Sequence, residues 1–392
     1  MSNPLLSQLI AELETINSAN VASHPTIPAI DDKITDAHSL LKALLDEGEQ
    51  RQLGTAHMTS PVESTALIAQ IVACLHQGNL LSPELFPLLK QIQTETFDWL
   101  CQQFDFRHVH LTAGSSYGNL EALWQAKQTS SRRTVYTSMG CHYSIGKACD
   151  MLDLSLVRLP CNAYEQIDLA ALQHACQRTA PLAIIINAGT TISGALDPIA
   201  DCLALAEQYQ AWSHIDAAWG GGLILLPEYH EQFAHLVGRA DSLCFDPHKA
   251  WSQPKPSSVL FYQQPPTATL LDTSYLMHPP TWQLQGSYGG EAILPLWLCL
   301  VTDSSAVWRD MWRYQCQQAA RLVKALKASS FATPLPSQTG IVCFSSHCDF
   351  SPLIHNGILS RAQLNGKAVY RCIISHQGMS ARKVMRQLQD YC

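Results

Sequence analysis

The sequence predicts an α/β protein: a mainly parallel sheet with helices on both faces, an N-terminal helical segment and a small C-terminal α/β domain. Two observations lead to this prediction. Between about residues 105 and 265, short β-rich runs alternate with helical stretches, the pattern of a parallel sheet with crossover helices. Several runs, such as Ala183-Ile184-Ile185-Ile186, are apolar without alternation, which is typical of strands covered on both faces.

The elements of the large domain follow from these patterns. Residues 1 to about 50 have apolar residues at helical spacing around a proline-containing break at 25 to 28. The predicted strands are His108 to Thr112, Thr134 to Thr137, Leu154 to Leu159, Ala183 to Asn187, His214 to Ala217, Ser242 to Phe245 and Ser258 to Tyr262. A stretch rich in Pro, Gly and Gln, from Gln263 to Gly290, predicts an ordered or mobile loop and a natural place for an active-site lid.

The C-terminal part is predicted to begin with a helix from about 291 to 328. The elements expected after it are a strand at Ile341 to Ser345, a helix at 353 to 364, a strand at Val369 to Ser375 and a helix at 381 to 391. The predicted organisation is therefore an N-terminal segment over 1–55, a large domain over 56–300, and a connecting helix with a small domain over 301–392.

Composition narrows the class of protein. The 392 residues are 47% hydrophobic and 15% charged, and the net charge is -7. No run of Lys or Arg forms the basic stripe that nucleic acids or anionic membranes require, so neither is an expected partner. No leader-like segment and no apolar stretch of about 18 to 20 residues is found, which predicts a cytoplasmic protein.

Cysteines and histidines are frequent but scattered. The fourteen cysteines have no CxxC pair and no zinc-ligand spacing, so we expect reduced thiols that mostly pack as small hydrophobic residues. His108 and His110 would share one face of a strand, but no third ligand accompanies them, and no metal site is predicted.

Four segments contain residues that could take part in binding or catalysis. Each follows a predicted strand, at the position where open parallel sheets bind their ligands. The first includes Gly114, Ser115 and Ser116, a hydroxyl-rich turn that leads into a helix. Backbone N–H groups and hydroxyls at such a turn can cradle a phosphate. An ordinary capped helix explains the same residues equally well.

The second segment ends a strand with Asp216, followed by Ala217, Ala218 and three glycines. A carboxylate there needs a cation, and a protonated pyridine nitrogen is one. Asp216 as a helix cap or loop ligand is the alternative. The small residues leave room for a flat ring against the backbone.

The third segment is Asp246-Pro247-His248-Lys249. A lysine buried near the edge of the sheet should have a pKa below its ordinary value of about 10.4 and act as a nucleophile. A solvated surface lysine is the ordinary alternative. The fourth segment contains Thr190 and Thr191, whose hydroxyls can reach a phenolic oxygen, although Gly194 to Pro198 can also form a simple turn.

Together these motifs resemble the pyridoxal-dependent decarboxylases of the glutamate, aromatic amino acid and diaminobutyrate type. The resemblance covers about residues 50 to 300 in order, and it implies the fold type I architecture and pyridoxal 5′-phosphate (PLP) as cofactor. It implies that Lys249 is the lysine to which the cofactor is attached covalently and that Asp216 faces the pyridine nitrogen. Ala218 would pack beneath the ring and His142 would stack on its other face. The residues implied for the phosphate surround are Ser115, Ser116, Asp246 and His248.

The resemblance also suggests residues for the substrate. His57 and Thr59 lie in a segment similar to one that borders the substrate pocket, often beside a dimer partner, although a structural loop is the alternative. Arg371 resembles an arginine that meets a substrate carboxylate, and a structural ion pair is its alternative. In the family a tyrosine on a longer loop protonates the product carbon. The region after Tyr262 is short here, so the candidates are Tyr275, Tyr288 and His248.

These residues predict PLP-dependent decarboxylation of a small polar or acidic amino acid, such as aspartate, glutamate, cysteine sulfinate or 2,4-diaminobutyrate. A homodimer with active sites near its interface is implied by the resemblance. Two alternatives remain: another PLP reaction, such as C–S lysis, transamination or deamination, and a non-catalytic partner that regulates an active homologue.

Overall fold

The computed structural model describes residues 42–48, 54–267, 283–302 and 304–392, apart from the side chains at 231 and 232. Residues 42–48 form a helix. The rest of the predicted N-terminal helical segment lies outside the described residues. Tyr275 and most of the predicted lid between Gln263 and Gly290 also lie outside them.

Within the described residues, seven strands form one sheet in the order β1-β7-β6-β5-β4-β2-β3. The strands are β1 (His108–Thr112), β2 (Thr134–Ser138), β3 (Ser155–Leu159), β4 (Ala183–Asn187), β5 (Trp212–Asp216), β6 (Ser242–Phe245) and β7 (Ser258–Tyr262). Neighbours from β3 to β6 pair in parallel, whereas β7 runs antiparallel to β6 and β1. The mainly parallel sheet is confirmed, and each strand lies within two residues of its prediction.

Helices surround this sheet. They are α1 (Ser64–His76), α2 (Pro87–Phe104), α3 (Ser115–Thr129), α4 (Tyr143–Met151), α5 (Leu169–Arg178), α6 (Ile199–Gln208), α7 (Pro227–Val237) and α8 (Pro247–Ala250). Helix α3 packs on β5, β6 and β7, and α6 packs on β4 and β5. Strands β4 and β7 are buried along their whole length, which explains their unbroken apolar sequences.

The C-terminal part contains a second, antiparallel sheet in the order β10-β11-β9-β8. The elements of this C-terminal part are α9 (Gly290–Val301), α10 (Ser304–Ala328), β8 (Ala332–Pro334), β9 (Ile341–Ser346), α11 (Ser351–His355), β10 (Ser360–Leu364), β11 (Lys367–Ile373) and α12 (Ala381–Gln389). The single helix predicted over 291–328 is therefore two helices. Among the described residues, no single helix is long and apolar enough to span a membrane. Helices α9 and α10 reach that length and apolar composition only when they are counted as one segment, and they are bent relative to each other by 89°.

The helix predicted over 353–364 is wrong in its second half. Helix α11 ends at His355, and Gly357 follows with a φ of 71° that a continuing helix does not allow. Strand β10 then pairs with β11 through the two-residue turn Asn365-Gly366, where both residues have positive φ. This geometry is that of a tight β-hairpin, which Asn-Gly strongly favours.

One cysteine pair departs from the expectation of reduced thiols. Cys348 and Cys392 form a disulfide, because α12 brings the C-terminus beside the turn after β9 with a Cα–Cα distance of 5.7 Å. The other twelve cysteines, all within the described residues, are free thiols. Many of these are buried, and burial raises the pKa of Cys299 and Cys343 to about 12.

A tight contact in the main core gives a test of the packing. Gly222 lies in the 3-10 helix Gly220–Leu225, and a Cβ added there would lie 2.1 Å from the buried ring of Trp312. That ring is fixed by a 2.8 Å bond from its indole N–H to the carbonyl oxygen of Ala250. We expect Gly222→Ala to lower the free energy of unfolding by about 1 to 3 kcal/mol, measured by urea denaturation. Gly286→Ala, where nothing lies within 4 Å of the added Cβ, is the control, and equal stabilities would contradict the packing.

Candidate active site

A pocket of roughly 410 Å³ lies at the carboxyl ends of the parallel strands. It is lined by residues that end or follow β1, β4, β5 and β6, together with the start of α4. All ten residues predicted to bind the cofactor line it: Gly114, Ser115, Ser116, His142, Thr190, Asp216, Ala218, Asp246, His248 and Lys249.

The Lys249 amine is paired with a carboxylate. Its Nζ lies 2.8 Å from Oδ2 of Asp246, whose side chain is buried. Burial lowers the pKa of Lys249, but Asp246 and, beyond it, Asp216 raise that pKa to a net value above the ordinary one. The expectation of a lowered pKa is therefore wrong for this arrangement. The amine must lose its proton before it can act as a nucleophile.

This raised pKa predicts how fast the cofactor attaches. Below the pKa of Lys249, the unprotonated fraction of the amine grows about tenfold per pH unit. We expect the rate of PLP attachment to the cofactor-free protein to rise steeply between about pH 6 and pH 9, followed by stopped-flow absorbance. Asp246→Asn removes the main charge that raises the pKa, so its rate curve should shift to lower pH. Coincident curves for the two proteins would contradict the role of this ion pair.

Asp246 also organises the start of helix α3. Its Oδ1 accepts hydrogen bonds from the backbone N–H of Ser115 at 3.0 Å and from the hydroxyl of Ser115 at 2.7 Å. The Ser115 hydroxyl is therefore directed to Asp246, whereas Ser116 is exposed at the pocket. Gly114 has a φ of 120°, and a Cβ there would meet no atom within 4 Å, so the backbone at this turn is open to a ligand.

Asp216 is the last residue of β5, and its carboxyl oxygens accept hydrogen bonds from the groups around them. The backbone N–H of Ala218 donates to its Oδ1 at 3.2 Å, and the amide nitrogen of Asn119 donates to its Oδ2 at 3.1 Å. The thiol of Cys244 lies 3.7 Å from Oδ1. These contacts fix the orientation of the Asp216 carboxyl group at the edge of the pocket.

His142 caps the start of helix α4. Its Nδ1 lies 2.8 Å from the hydroxyl oxygen of Ser144, and the backbone N–H of Ser144 donates to the same nitrogen at 3.3 Å. Burial lowers the pKa of His142, and Asp216 only partly offsets this effect. The imidazole therefore lines the pocket in its neutral form near pH 7.

His248 binds a backbone carbonyl group through its Nδ1. This nitrogen lies 2.6 Å from the carbonyl oxygen of Ser257, which can only accept, so Nδ1 carries a proton. The N–H of Ser257 is at 3.4 Å from the same atom, too far to reverse this assignment. Burial lowers the pKa of His248 although Asp246 raises it. The neutral ring then has no proton on Nε2, which weakens its candidacy as the acid.

Thr190 belongs both to the pocket and to a turn. Its hydroxyl oxygen lies 2.8 Å from that of Ser193 and accepts from the N–H of Ala195 at 3.1 Å. The side chain is buried and lines the pocket wall. Its turn-forming contacts are thus observed, and its role toward the cofactor remains a prediction.

The predicted substrate residues are arranged differently. Within the described part of the chain, the pocket lining includes Met58 but not its neighbours His57 and Thr59. Arg371 does not line it either. Its guanidinium donates to the carbonyl oxygens of Ile192 at 3.1 Å and Ala56 at 3.2 Å, so it ties strand β11 to two segments beside the pocket. The role of Arg371 toward a substrate carboxylate stays a prediction.

The residues considered as proton donors to the product carbon differ in whether they line the pocket. Tyr275 lies outside the described residues. The hydroxyl of Tyr288 accepts from Gln93 at 3.0 Å, and Tyr288 is not among the described residues that line the pocket. Two other tyrosines, Tyr117 and Tyr143, do line it and are more than half exposed. Sequence reasoning did not single them out, since neither lies after Tyr262.

Asn119 is the main residue in contact with the site that the sequence did not single out. It is fully buried and bonded to Asp216 and Ser144. One signal could have found it: it lies four positions after Ser115 in helix α3, so both side chains point to the same face of the helix.

The fold and the pocket together define a cofactor-binding α/β protein with an amine and a carboxylate held in one cleft. The family model of the pyridoxal-dependent decarboxylase conserved domain matches residues 116–347, more than half of the chain. The chain belongs to this family, whose cofactor is pyridoxal 5′-phosphate. The donor set fits that group: Lys249 for covalent attachment, Asp216 for the ring nitrogen, and an open turn at Gly114 for the phosphate.

Similar proteins carry related names. An L-aspartate decarboxylase of Metarhizium robertsii is 29% identical over 251 residues, which are 56% of this chain and 49% of that protein. An L-2,4-diaminobutyrate decarboxylase of Rhizobium meliloti is 28% identical over 221 residues, 52% of this chain and 44% of the relative. The chain thus spans about half the length of these curated relatives. The glutamate decarboxylase domain of a Vibrio parahaemolyticus diaminobutyrate-pyruvate transaminase and L-2,4-diaminobutyrate decarboxylase has the same fold, with a TM-score of 0.76 at 18% identity over 98% of this chain and 92% of that one.

Proposed function

We propose that this protein decarboxylates a small polar or acidic L-amino acid to the corresponding amine, with PLP as cofactor. The observation that carries the proposal is that Lys249, Asp216, His142 and Ala218 line one pocket. When bound, PLP supplies an electron sink for the negative charge left on the substrate as carbon dioxide departs.

The residues of the chain have separate tasks in this reaction. Lys249 would hold the cofactor covalently, and the carboxyl group of Asp216 would face its ring nitrogen. His142 and Ala218 would border the ring, so that the substrate bond to be broken is oriented against it. The turn at Gly114 and the exposed Ser116 would hold the phosphate. Tyr117 and Tyr143 join Tyr275 as candidates to return a proton to the product carbon.

Two features support a small, polar or acidic substrate. The pocket of roughly 410 Å³ must hold both cofactor and substrate, which leaves little room for a bulky side chain. Lys255 lines the same pocket and is exposed, so its ammonium group can meet an anionic substrate group. The relatives named for aspartate and diaminobutyrate are consistent with a small side chain.

Product analysis tests this proposal. The PLP-loaded protein would be incubated with a panel of amino acids that includes aspartate, glutamate, cysteine sulfinate and 2,4-diaminobutyrate, and products would be identified by mass spectrometry. Carbon dioxide with a primary amine is the expected result. A keto acid, ammonia or a C–S lysis product would show that the protein catalyses another PLP reaction instead of decarboxylation. Full cofactor attachment without turnover of any substrate would favour a regulatory partner.

We also propose that the protein is a homodimer. Ile68, Val72 and Leu75 lie along one exposed face of α1 at spacings of four and three residues, an apolar stripe that a second copy would cover. Light scattering coupled to size exclusion measures the assembly. Val72→Glu should shift the mass toward the monomer, and a monomeric wild-type protein would exclude the dimer.

A further inference from the structure

A chain of hydrogen bonds leads from Trp212 on strand β5 toward the pocket, and the amide orientation of Asn119 beside Asp216 fixes its direction. The indole N–H of Trp212 can only donate, and it lies 2.8 Å from the hydroxyl oxygen of Ser242. The hydroxyl oxygen of Ser242 also lies 2.8 Å from Nδ1 of His214 and donates to it when the proton of the neutral ring is on Nε2, the nitrogen that faces the accepting Oδ1 of Asn119. Burial lowers the pKa of His214 to about 4, so the ring is neutral and its single proton lies on Nε2.

The next residue in the chain is Asn119. Nε2 of His214 lies 2.8 Å from Oδ1 of Asn119 and donates to it. The amide nitrogen of Asn119 is then left to donate in two directions, to Oδ2 of Asp216 at 3.1 Å and to the hydroxyl oxygen of Ser144 at 2.9 Å. The reverse orientation of the amide would place its oxygen against a carboxylate, which electrostatic repulsion disfavours.

The chain ends at His142. Because the hydroxyl oxygen of Ser144 accepts from Asn119, its own hydrogen is available for Nδ1 of His142 at 2.8 Å. The backbone N–H of Ser144 donates to the same nitrogen. Nδ1 of His142 thus receives two donors and carries no proton.

We propose that Asn119 and Ser144 are positioning residues, which orient the carboxyl group of Asp216 and hold His142 as the neutral tautomer with its proton on Nε2. Every hydrogen bond in the chain points from Trp212 toward the pocket, so Asn119 directs one donor to each of its two branches. The charged groups that act on His142 are the carboxylates of Asp216 and Asp246 and the ammonium groups of Lys249 and Lys147. They have opposing effects, which leaves the two Ser144 donors to fix the tautomer.

This inference deepens the proposed function and rests on it for its kinetic consequence. A neutral imidazole can stack on the cofactor ring without bringing a second positive charge beside the protonated ring nitrogen. Loss of the Ser144 hydroxyl would release Nδ1 to bind a proton or to exchange tautomers. Residues that orient metal ligands typically contribute about 10- to 100-fold to affinity or activity, and we expect a loss of the same order here.

Nitrogen NMR of the intact chain, labelled with ¹⁵N-histidine, measures the tautomer directly. Spectra would be recorded with PLP bound and after its removal, and His142→Gln identifies the signals of His142. The expected wild-type result is an unprotonated Nδ1 and a protonated Nε2 near neutral pH. A proton on Nδ1 in the wild-type protein overturns the inference without any further variant.

Variants of Ser144 then separate positioning from packing. Ser144→Ala should produce mixed tautomers or a raised pKa of His142, and kcat should fall about 10- to 100-fold with a smaller change in KM. Ser144→Thr keeps the hydroxyl and should restore the wild-type tautomer. Ser329→Ala, at a serine on the last turn after α10 that donates to Leu326, is the matched control.

The outcomes distinguish this inference from the proposed function. If no amino acid is decarboxylated but the wild-type tautomer is as expected and Ser144→Ala changes it, the inference stands and the proposed reaction fails. If decarboxylation occurs but folded Ser144→Ala keeps the wild-type tautomer and pH profile, the positioning role is overturned.

Discussion

Lys249→Ala should abolish covalent attachment of PLP and lower decarboxylation by about 10²- to 10⁴-fold, the range for loss of a group that transfers protons and forms a covalent bond. The reason is chemical. Among the described residues that line the pocket, Lys249 is the lysine with its Nζ beside the buried Asp246, next to the turn expected to hold the phosphate. Reduction with borohydride followed by peptide mass spectrometry would locate the attached cofactor.

A second variant separates the chemistry from stability. Removal of Lys249 leaves the buried Asp246 carboxylate without its cation, which is destabilising in itself. Lys249→Arg keeps the positive charge, but a guanidinium does not lose its proton in proteins and cannot attach the cofactor. We expect it to fold better than Lys249→Ala and to be equally inactive. Lys324→Ala, at an exposed lysine of α10, should behave as wild type. Cofactor attached to Lys249→Arg would contradict the assignment.

The main sheet could be predicted because its strands carry local signals. Strands β4 and β7 are unbroken apolar runs, and burial on both faces requires that composition. The cofactor residues could be predicted because each follows such a strand, and parallel strands bring their carboxyl ends together at one edge. Family resemblance then assigned the roles that spacing alone left open.

The C-terminal hairpin shows where the pattern was misinterpreted. One helix was predicted over 353 to 364, but the Asn365-Gly366 turn and the alternating burial of β10 favour a strand. The Asn-Gly signal was present in the sequence. The tertiary pairing of β10 with β11 decided the outcome.

Other features depend on contacts that no local pattern contains. The raised pKa of Lys249 requires Asp246 at 2.8 Å, a distance set by the one-turn helix α8. Arg371 was expected at a substrate carboxylate, yet it contacts backbone carbonyls of segments that are distant in sequence. The bond between Asn119 and Asp216 joins residues 97 positions apart. Such contacts follow from the assembled fold rather than from any one segment.

Asp216→Asn should lower kcat by about a hundred- to a thousandfold, because the variant loses the negative charge that keeps the cofactor's ring nitrogen protonated. The geometry makes the neutral amide a poor substitute. All three groups around the Asp216 oxygens, the N–H of Ala218, the amide of Asn119 and the thiol of Cys244, are donors. An asparagine amide nitrogen would face at least one of them as a second donor, so the side chain would also be misoriented.

Asp241, which precedes β6 and contacts a residue near the start of β5 rather than its end, offers a matched control. Its carboxylate accepts from the backbone N–H and the hydroxyl of Ser213, at 2.7 and 2.8 Å, at the start of β5. Asp241→Asn removes an equivalent charge far from the pocket and should affect stability but not kcat. Steady-state kinetics and the pH dependence of the cofactor's visible absorbance would compare the two variants. A wild-type kcat for folded, PLP-loaded Asp216→Asn would refute the role of this carboxylate, because the charge would then have no part in the electron sink on which decarboxylation depends.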